Sequence, residues 1–142
     1  MKAVRRKFYA LRSANLAETL VFKRLSREQS HISKTYRVTV RPSITEDQLV
    51  RLTAGVEIDG RKTLPANVEV LDEEEGRVVL RIIIREGRNR QIRKMCEAVG
   101  LEVARLRRTA IGPVKLGMLK PGTWRELTAE EVKALRNAVN EQ

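Results

Sequence analysis

The run RVVLRIIIREGRNRQIRKMCEAVG, residues 77–100, changes its hydrophobic period once, and that change sets the fold class. Over 77–85, Val78, Leu80, Ile82 and Ile84 fall on one side with a period of two, and that side is wholly apolar. The other side mixes Val79 and Ile83 with Arg81, which predicts a strand with one face in the core and the other partly covered. After Glu86-Gly87-Arg88-Asn89, the apolar residues Ile92, Met95, Cys96 and Val99 recur at i, i+3, i+4 and i+7. That is the spacing of a helix burying one stripe, and Gly100 stands where such a helix ends in a left-handed residue.

Upstream of this unit, residues 35–41 alternate again, with Tyr36, Val38 and Val40 on one face and Arg37, Thr39 and Arg41 on the other. The pattern predicts a half-buried strand that stops at Pro42. Thr45-Glu46-Asp47-Gln48 reads as a capping box, opening a short helix through Leu49 and Leu52 that ends near Gly55. Residues 56–58 and 66–71 are short strand candidates with Asp59-Gly60 as the turn between them, and 72–76 (DEEEG) reads as an acidic turn. Downstream, 101–108 alternates loosely as a strand, Gly112-Pro113 and Gly117 mark turns, and Thr128-Ala129-Glu130-Glu131 caps a helix through Val132, Leu135 and Val139. Near the N-terminus, Leu16, Leu20 and Leu25 stand close to helical spacing. Strands and helices joined by hairpin-scale connections give an α+β fold: a mainly antiparallel mixed sheet flanked by helices.

The chain has 142 residues, enough for one domain, with 42% hydrophobic and 33% charged residues. Its apolar runs are too short to span a membrane, and the N-terminus has no apolar stretch of secretory type, which places the protein in the cytoplasm without a membrane partner. One cysteine, Cys96, excludes an internal disulfide, and one histidine, His31, leaves no plausible metal set, so neither metal nor cofactor is expected.

The net charge of +11 is unevenly spread. Residues 1–41 hold eleven basic and two acidic side chains, 42–80 four and nine, and 81–108 nine and three. Two basic blocks around an acidic one favour a folded protein with a positive face, and a phosphate polymer is the partner that most rewards it. A generally basic, solvated surface is the plainer alternative. Two Phe, two Tyr and one Trp give little material for stacking single-stranded bases. The densest cationic feature is the entry to the central helix, where a glycine-containing turn brings guanidinium groups to a helix start, an arrangement suited to phosphate or carboxylate. Residues singled out for nucleic-acid contact, RNA in the family resemblance given next, are Lys34, Arg88, Arg90, Gln91, Lys94, Arg105, Arg107 and Arg108.

Four stretches in unbroken order carry a family resemblance: KTYRV (34–38), GVEIDGRKTLPANVEV (55–70), EGRNRQIRKM (86–95) and LRRTAIGPVKLGMLKPGTWRELTAEE (106–131). Together, over about residues 31–136, they resemble the RsuA/RluB group of bacterial ribosomal RNA pseudouridine synthases. The resemblance implies a pseudouridine synthase-like catalytic domain that isomerises uridine in RNA, ribosomal by family, without metal or organic cofactor. It gives Tyr36 the place of the tyrosine that packs against uracil and Arg93 that of the cation pairing with the catalytic aspartate, with Ile92 and Leu106 as apolar support. Each also has a plainer reading: Tyr36 as a core-facing strand aromatic, Arg93 as a surface charge.

One departure changes the expectation. The family's nucleophile is an aspartate in a GRLD-type motif upstream of the tyrosine, whereas here no aspartate precedes Asp47, and the others are Asp59 and Asp72. The chain therefore reads as a divergent segment, 1–30, followed by the C-terminal part of a catalytic domain, 31–142. Truncation, a frameshift or divergence in a paralogue each give this pattern. An arginine cannot replace a carboxylate at ribose C1′. The expectation is a truncated family member inactive alone, or a non-catalytic RNA-binding protein with the same fold. Glu18 or Glu28 would be substitute partners for Arg93. With central strands replaced, Val78, Leu80, Ile82 and Ile84 are expected to stand open and favour a homodimer or domain-swapped dimer.

Overall fold

In the computed structural model, residues 11–12, 31–120 and 125–140 are described. The helix read near Leu16–Leu25, and Glu18 and Glu28, lie outside the described residues. The elements are β1 (Leu11–Arg12), β2 (Lys34–Arg41), α1 (Glu46–Ala54), β3 (Glu57–Ile58), β4 (Arg61–Lys62), β5 (Asn67–Glu74), β6 (Arg77–Ile84), α2 (Gln91–Ala98), β7 (Glu102–Ile111), β8 (Val114–Lys115), β9 (Arg125–Glu126) and α3 (Ala129–Asn140). Five strands form one antiparallel sheet in the order β5-β6-β2-β7-β8, while β3-β4 is a separate hairpin. The short strands β1 and β9 pair in parallel. The α+β reading with a mainly antiparallel sheet holds.

The alternation on β2 and β6 has its expected consequence. Val38 lies opposite Leu80 and Val40 opposite Val78, and their shared face meets Leu52 of α1 and Ile92, Met95 and Cys96 of α2 in one core. Val78, Leu80 and Ile82 are fully buried and Ile84 is 2% exposed. The expectation that this face stands open is thereby corrected: α1, α2 and the 56–66 segment cover it, which removes the stated motive for a swapped dimer. A second, smaller cluster joins Ile32, Ile111 and Val114 to Leu135 and Val139 of α3.

Both capping boxes form. The Thr45 hydroxyl accepts from the Gln48 amide at 3.1 Å while the Gln48 side chain accepts from Thr45 N–H at 2.9 Å, and Glu131 and Thr128 do the same at α3. Helix α1 ends at Gly55 with φ of 102°, and a Cβ there would collide with the Thr63 carbonyl, so the position demands glycine.

Two local readings need correction. The Asp59-Gly60 turn joins β3 to the two-residue strand β4, not to residues 66–71, which belong to β5 against β6. The acidic stretch is not all turn: β5 runs on through Glu74, and Glu75-Gly76 alone makes the hairpin. Asp72 and Glu74 lie close to Arg77 across it, at 3.9 and 2.8 Å.

The loose alternation of 101–108 also has a cause. Strand β7 shifts register against β2 twice, once between Thr39 and Val40 and once between Thr35 and Tyr36, so Ala104 and Thr109 are extra residues. A bulge turns the following side chains to the other face. Hence Val103, Leu106 and Arg108 all share the face of Val40, Val38 and Tyr36, while Arg105 and Arg107 share that of Thr39 and Arg37.

Candidate functional site

Tyr36 is half-buried on β2, between Ile82 of β6 and Arg108 of β7, and packs against the main core. The guanidinium of Arg108 is hydrogen-bonded to it, and since a guanidinium only donates, the phenol oxygen accepts. Burial pushes the pKa of Arg108 down, opposed by its interaction with Tyr36.

Two residues earlier on the same strand, Lys34 is 4% exposed, opposite Ile84 and Ile111, and its Nζ donates to the Ile32 carbonyl at 3.3 Å. Burial, with the charge of Arg108 added, lowers the Lys34 pKa to about 8, while Glu86 acts in the opposite direction. The loop 85–90 leaves β6 at this same end, where Ile84 lies opposite Lys34, and Glu86 within it acts on the Lys34 ammonium.

Within that loop the cations divide by role. Arg88, whose side chain is 6% exposed, donates through Nη1 to the Arg61 carbonyl at 3.1 Å and through Nη2 to the Ile58 carbonyl, with Glu86 at 4.0 Å. Glu86 in turn accepts from Leu64 N–H at 2.6 Å. Buried Gln91 accepts from Arg88 N–H at 3.1 Å, and its Nε2 lies 3.6 Å from the Met95 sulfur. Arg88 and Gln91, singled out for RNA contact, are thus occupied inside the protein, fastening the β3-β4 hairpin and the start of α2. Lys94 faces outward but is held at 2.6 Å by Asp59, whose carboxyl that hydrogen bond lowers below its usual range.

Arg90 is exposed and sits at the N-cap of α2 with φ of 52° and no side-chain cap. A left-handed conformation costs a non-glycine residue about 1 kcal/mol. Arg90→Gly is therefore expected to raise stability by up to about 1 kcal/mol in denaturant unfolding. A loss would mean that the arginine side chain makes contacts outweighing the strain.

Arg93 is half-buried one position past Ile92 on α2, which packs against β3 and β7. The guanidinium found against Tyr36 is that of Arg108. Cys96, three residues on, is fully buried, and burial pushes its thiol up to about 12, which makes it an inert core residue rather than a nucleophile.

The sequence reading undervalued Lys34 and Arg108 as a pair with Tyr36. Period two places Lys34 on the face of Tyr36, and that signal was available. The approach of Arg108 required the β7 bulges. Arg105 and Arg107 lie on the opposite face of the sheet, in a cleft of about 520 Å³ bounded also by Arg37, Thr39, Arg77 and Lys120.

The three aspartates are exposed and placed elsewhere: Asp47 in the first turn of α1, Asp59 on Lys94, Asp72 beside Arg77. Around Tyr36 the nearby carboxylate acting on Lys34 is Glu86, which the Leu64 amide already engages.

Comparison with known proteins agrees with the motif reading. The sequence model of the RNA pseudouridylate synthase family matches residues 16–98. An uncharacterized RNA pseudouridine synthase of Bacillus subtilis (strain 168) is 40% identical over 114 residues, which cover 79% of this chain and 48% of that protein. Ribosomal large subunit pseudouridine synthase B of the same organism is 37% identical over 115 residues, 80% of this chain and 47% of that one. A crystal structure of a pseudouridylate synthase superposes with a TM-score of 0.73 at 32% identity, covering 81% of this chain and 50% of the other. The chain spans about half the length of the curated relatives it matches.

Proposed function

The chain belongs to the RNA pseudouridylate synthase family, and from that premise we propose that it binds ribosomal RNA in the cytoplasm through the Tyr36 face without turning uridine over on its own. Tyr36 offers an aromatic surface for a uracil, Arg108 and Lys34 make its surroundings cationic, and Arg90 and Arg93 stand at the adjoining helix for phosphate. No helix among the described residues is long and apolar enough to cross a membrane.

The observation that carries this reading is the placement of the carboxylates. Isomerisation needs a carboxylate positioned at ribose C1′, and among the described residues all three aspartates are exposed on other elements while Glu86 is tied to the Leu64 amide. Loss of a nucleophile typically removes on the order of 10⁴-fold or more in rate. A cationic surface around an aromatic side chain can hold a uridine and its phosphates without the reacting carboxylate, because those contacts do not depend on it.

The test is tritium release from ribosomal RNA labelled at uridine C5, run beside a binding measurement on the same RNA. The expected result is binding with no release above a control lacking protein. Release would overturn the non-catalytic reading and require a carboxylate from outside the described residues or from a partner protomer.

A further inference from the structure

The sheet face opposite Tyr36 carries a row that a sheet does not build for its own stability. In register across β5, β6, β2 and β7 stand Glu69, Arg81, Arg37 and Arg107. Glu69 neutralises Arg81 at 2.5 Å, which leaves Arg37 and Arg107 directly opposite one another as like charges. Directly opposed like charges destabilise a strand pair. One position along, Arg105 lies opposite Thr39 and adds a third guanidinium to the same face, so the repulsion extends along both strands.

This row borders the cleft of about 520 Å³. Its floor includes Thr39 and the buried Val79, and Leu116 and Leu119 stand at its side. Lys120 brings a further cation to it, while Arg77 at its end is paired with Glu74. The acidic side chains nearest in the sheet are already engaged at its β5-β6 end, Glu69 on Arg81 and Glu74 on Arg77. Arg107 is held in place by a 3.2 Å bond from Nη2 to the Leu119 carbonyl, so one guanidinium fork is preset before any ligand arrives.

We infer that this cleft is a second docking groove for RNA, taking a run of phosphodiester backbone on the sheet face opposite Tyr36. The inference rests on the RNA-binding reading above and extends it to a second face, with Arg108 bordering both the cleft and Tyr36. Successive phosphates relieve the repulsion between Arg37, Arg105 and Arg107, and the planar forks suit phosphate oxygens. The groove has little aromatic surface, so it grips backbone and is indifferent to base identity. An RNA held there as well as at Tyr36 passes around one edge of the sheet.

The test is fluorescence anisotropy with a labelled ribosomal RNA hairpin over a series of salt concentrations. The double variant Arg37→Gln with Arg105→Gln is expected to bind about tenfold more weakly, with the slope of log affinity on log salt reduced by about two. The same charge loss on α3, Lys133→Gln with Arg136→Gln, is expected to leave both quantities close to native. Unfolding of the groove variant at an unchanged or higher denaturant concentration would show that the lost affinity is not lost structure. Native affinity and slope in the groove variant would overturn the inference and leave the Tyr36 face as the RNA site, as would an equal loss in the α3 variant. Failure of the native chain to bind the hairpin would overturn the RNA-binding reading itself, and the groove with it.

Discussion

Arg88→Ala is expected to destabilise the chain by about 3–5 kcal/mol, the cost of breaking a buried charged contact by removing one partner. The truncation strips the Ile58 and Arg61 carbonyls of their donor and leaves the buried Glu86 carboxylate beside an empty space. Unsatisfied buried polar groups each carry a penalty of about 1–3 kcal/mol, so the effect exceeds that of losing one surface contact. Denaturant unfolding followed by circular dichroism checks it. Arg90→Gly, two residues along, is expected to move the same measurement in the opposite direction. If Arg88→Ala costs less than about 1 kcal/mol, Arg88 is a surface cation after all and its RNA-contacting role returns.

That contrast shows where the sequence is informative. The core stripe of β6, the buried stripe of α2 and both capping boxes rest on residues a few positions apart, and each is found where the local pattern puts it. Their physics is local, so the sequence is sufficient. The EGRNRQIRK run is different. It offers three arginines and a lysine within nine residues, and nothing in their spacing says which one turns inward. Arg88 does so because β3 and β4 bring two carbonyls to it from about thirty residues away. Strand β4 was itself illegible, being two exposed basic residues with no apolar alternation. The β7 bulges likewise show in the sequence only as imperfect alternation, although they decide that Arg108 meets Tyr36 while Arg105 and Arg107 leave for the opposite face. The missing aspartate could be read at once. The local pattern already puts Asp47 at a helix start and Asp59 in a turn, but the pairing of Asp59 with Lys94 and the approach of Asp72 to Arg77 needed the fold.

Lys34 supplies the second large effect, because a cation 4% exposed and lowered to about pKa 8 stores instability. Relative to its ordinary value of 10.5, the shift means that the charged form costs the folded chain about 3 kcal/mol at neutral pH. Below about pH 8 both folded and unfolded chains hold the proton, and the cost is full and constant. Between about 8 and 10.5 the unfolded chain holds a proton that the folded chain has released, so stability rises with pH across that window. Lys34→Met keeps the stem and removes the charge. It is expected to be about 2–3 kcal/mol more stable than the native chain at pH 7, with the gap closing as pH approaches 10.5. Taking the difference between the two chains cancels the titration of groups that do not interact with Lys34. A constant gap from pH 7 to 10.5 would mean that Lys34 titrates as an ordinary lysine and that its burial is not felt. A lysine that costs stability and stands two residues from Tyr36 has a use for its charge, and stability spent at a site is a common mark of function. Methionine there is therefore expected to weaken RNA binding at pH 7 while strengthening the fold. Native RNA affinity in this more stable variant would count against any role for Lys34 in contacting phosphate.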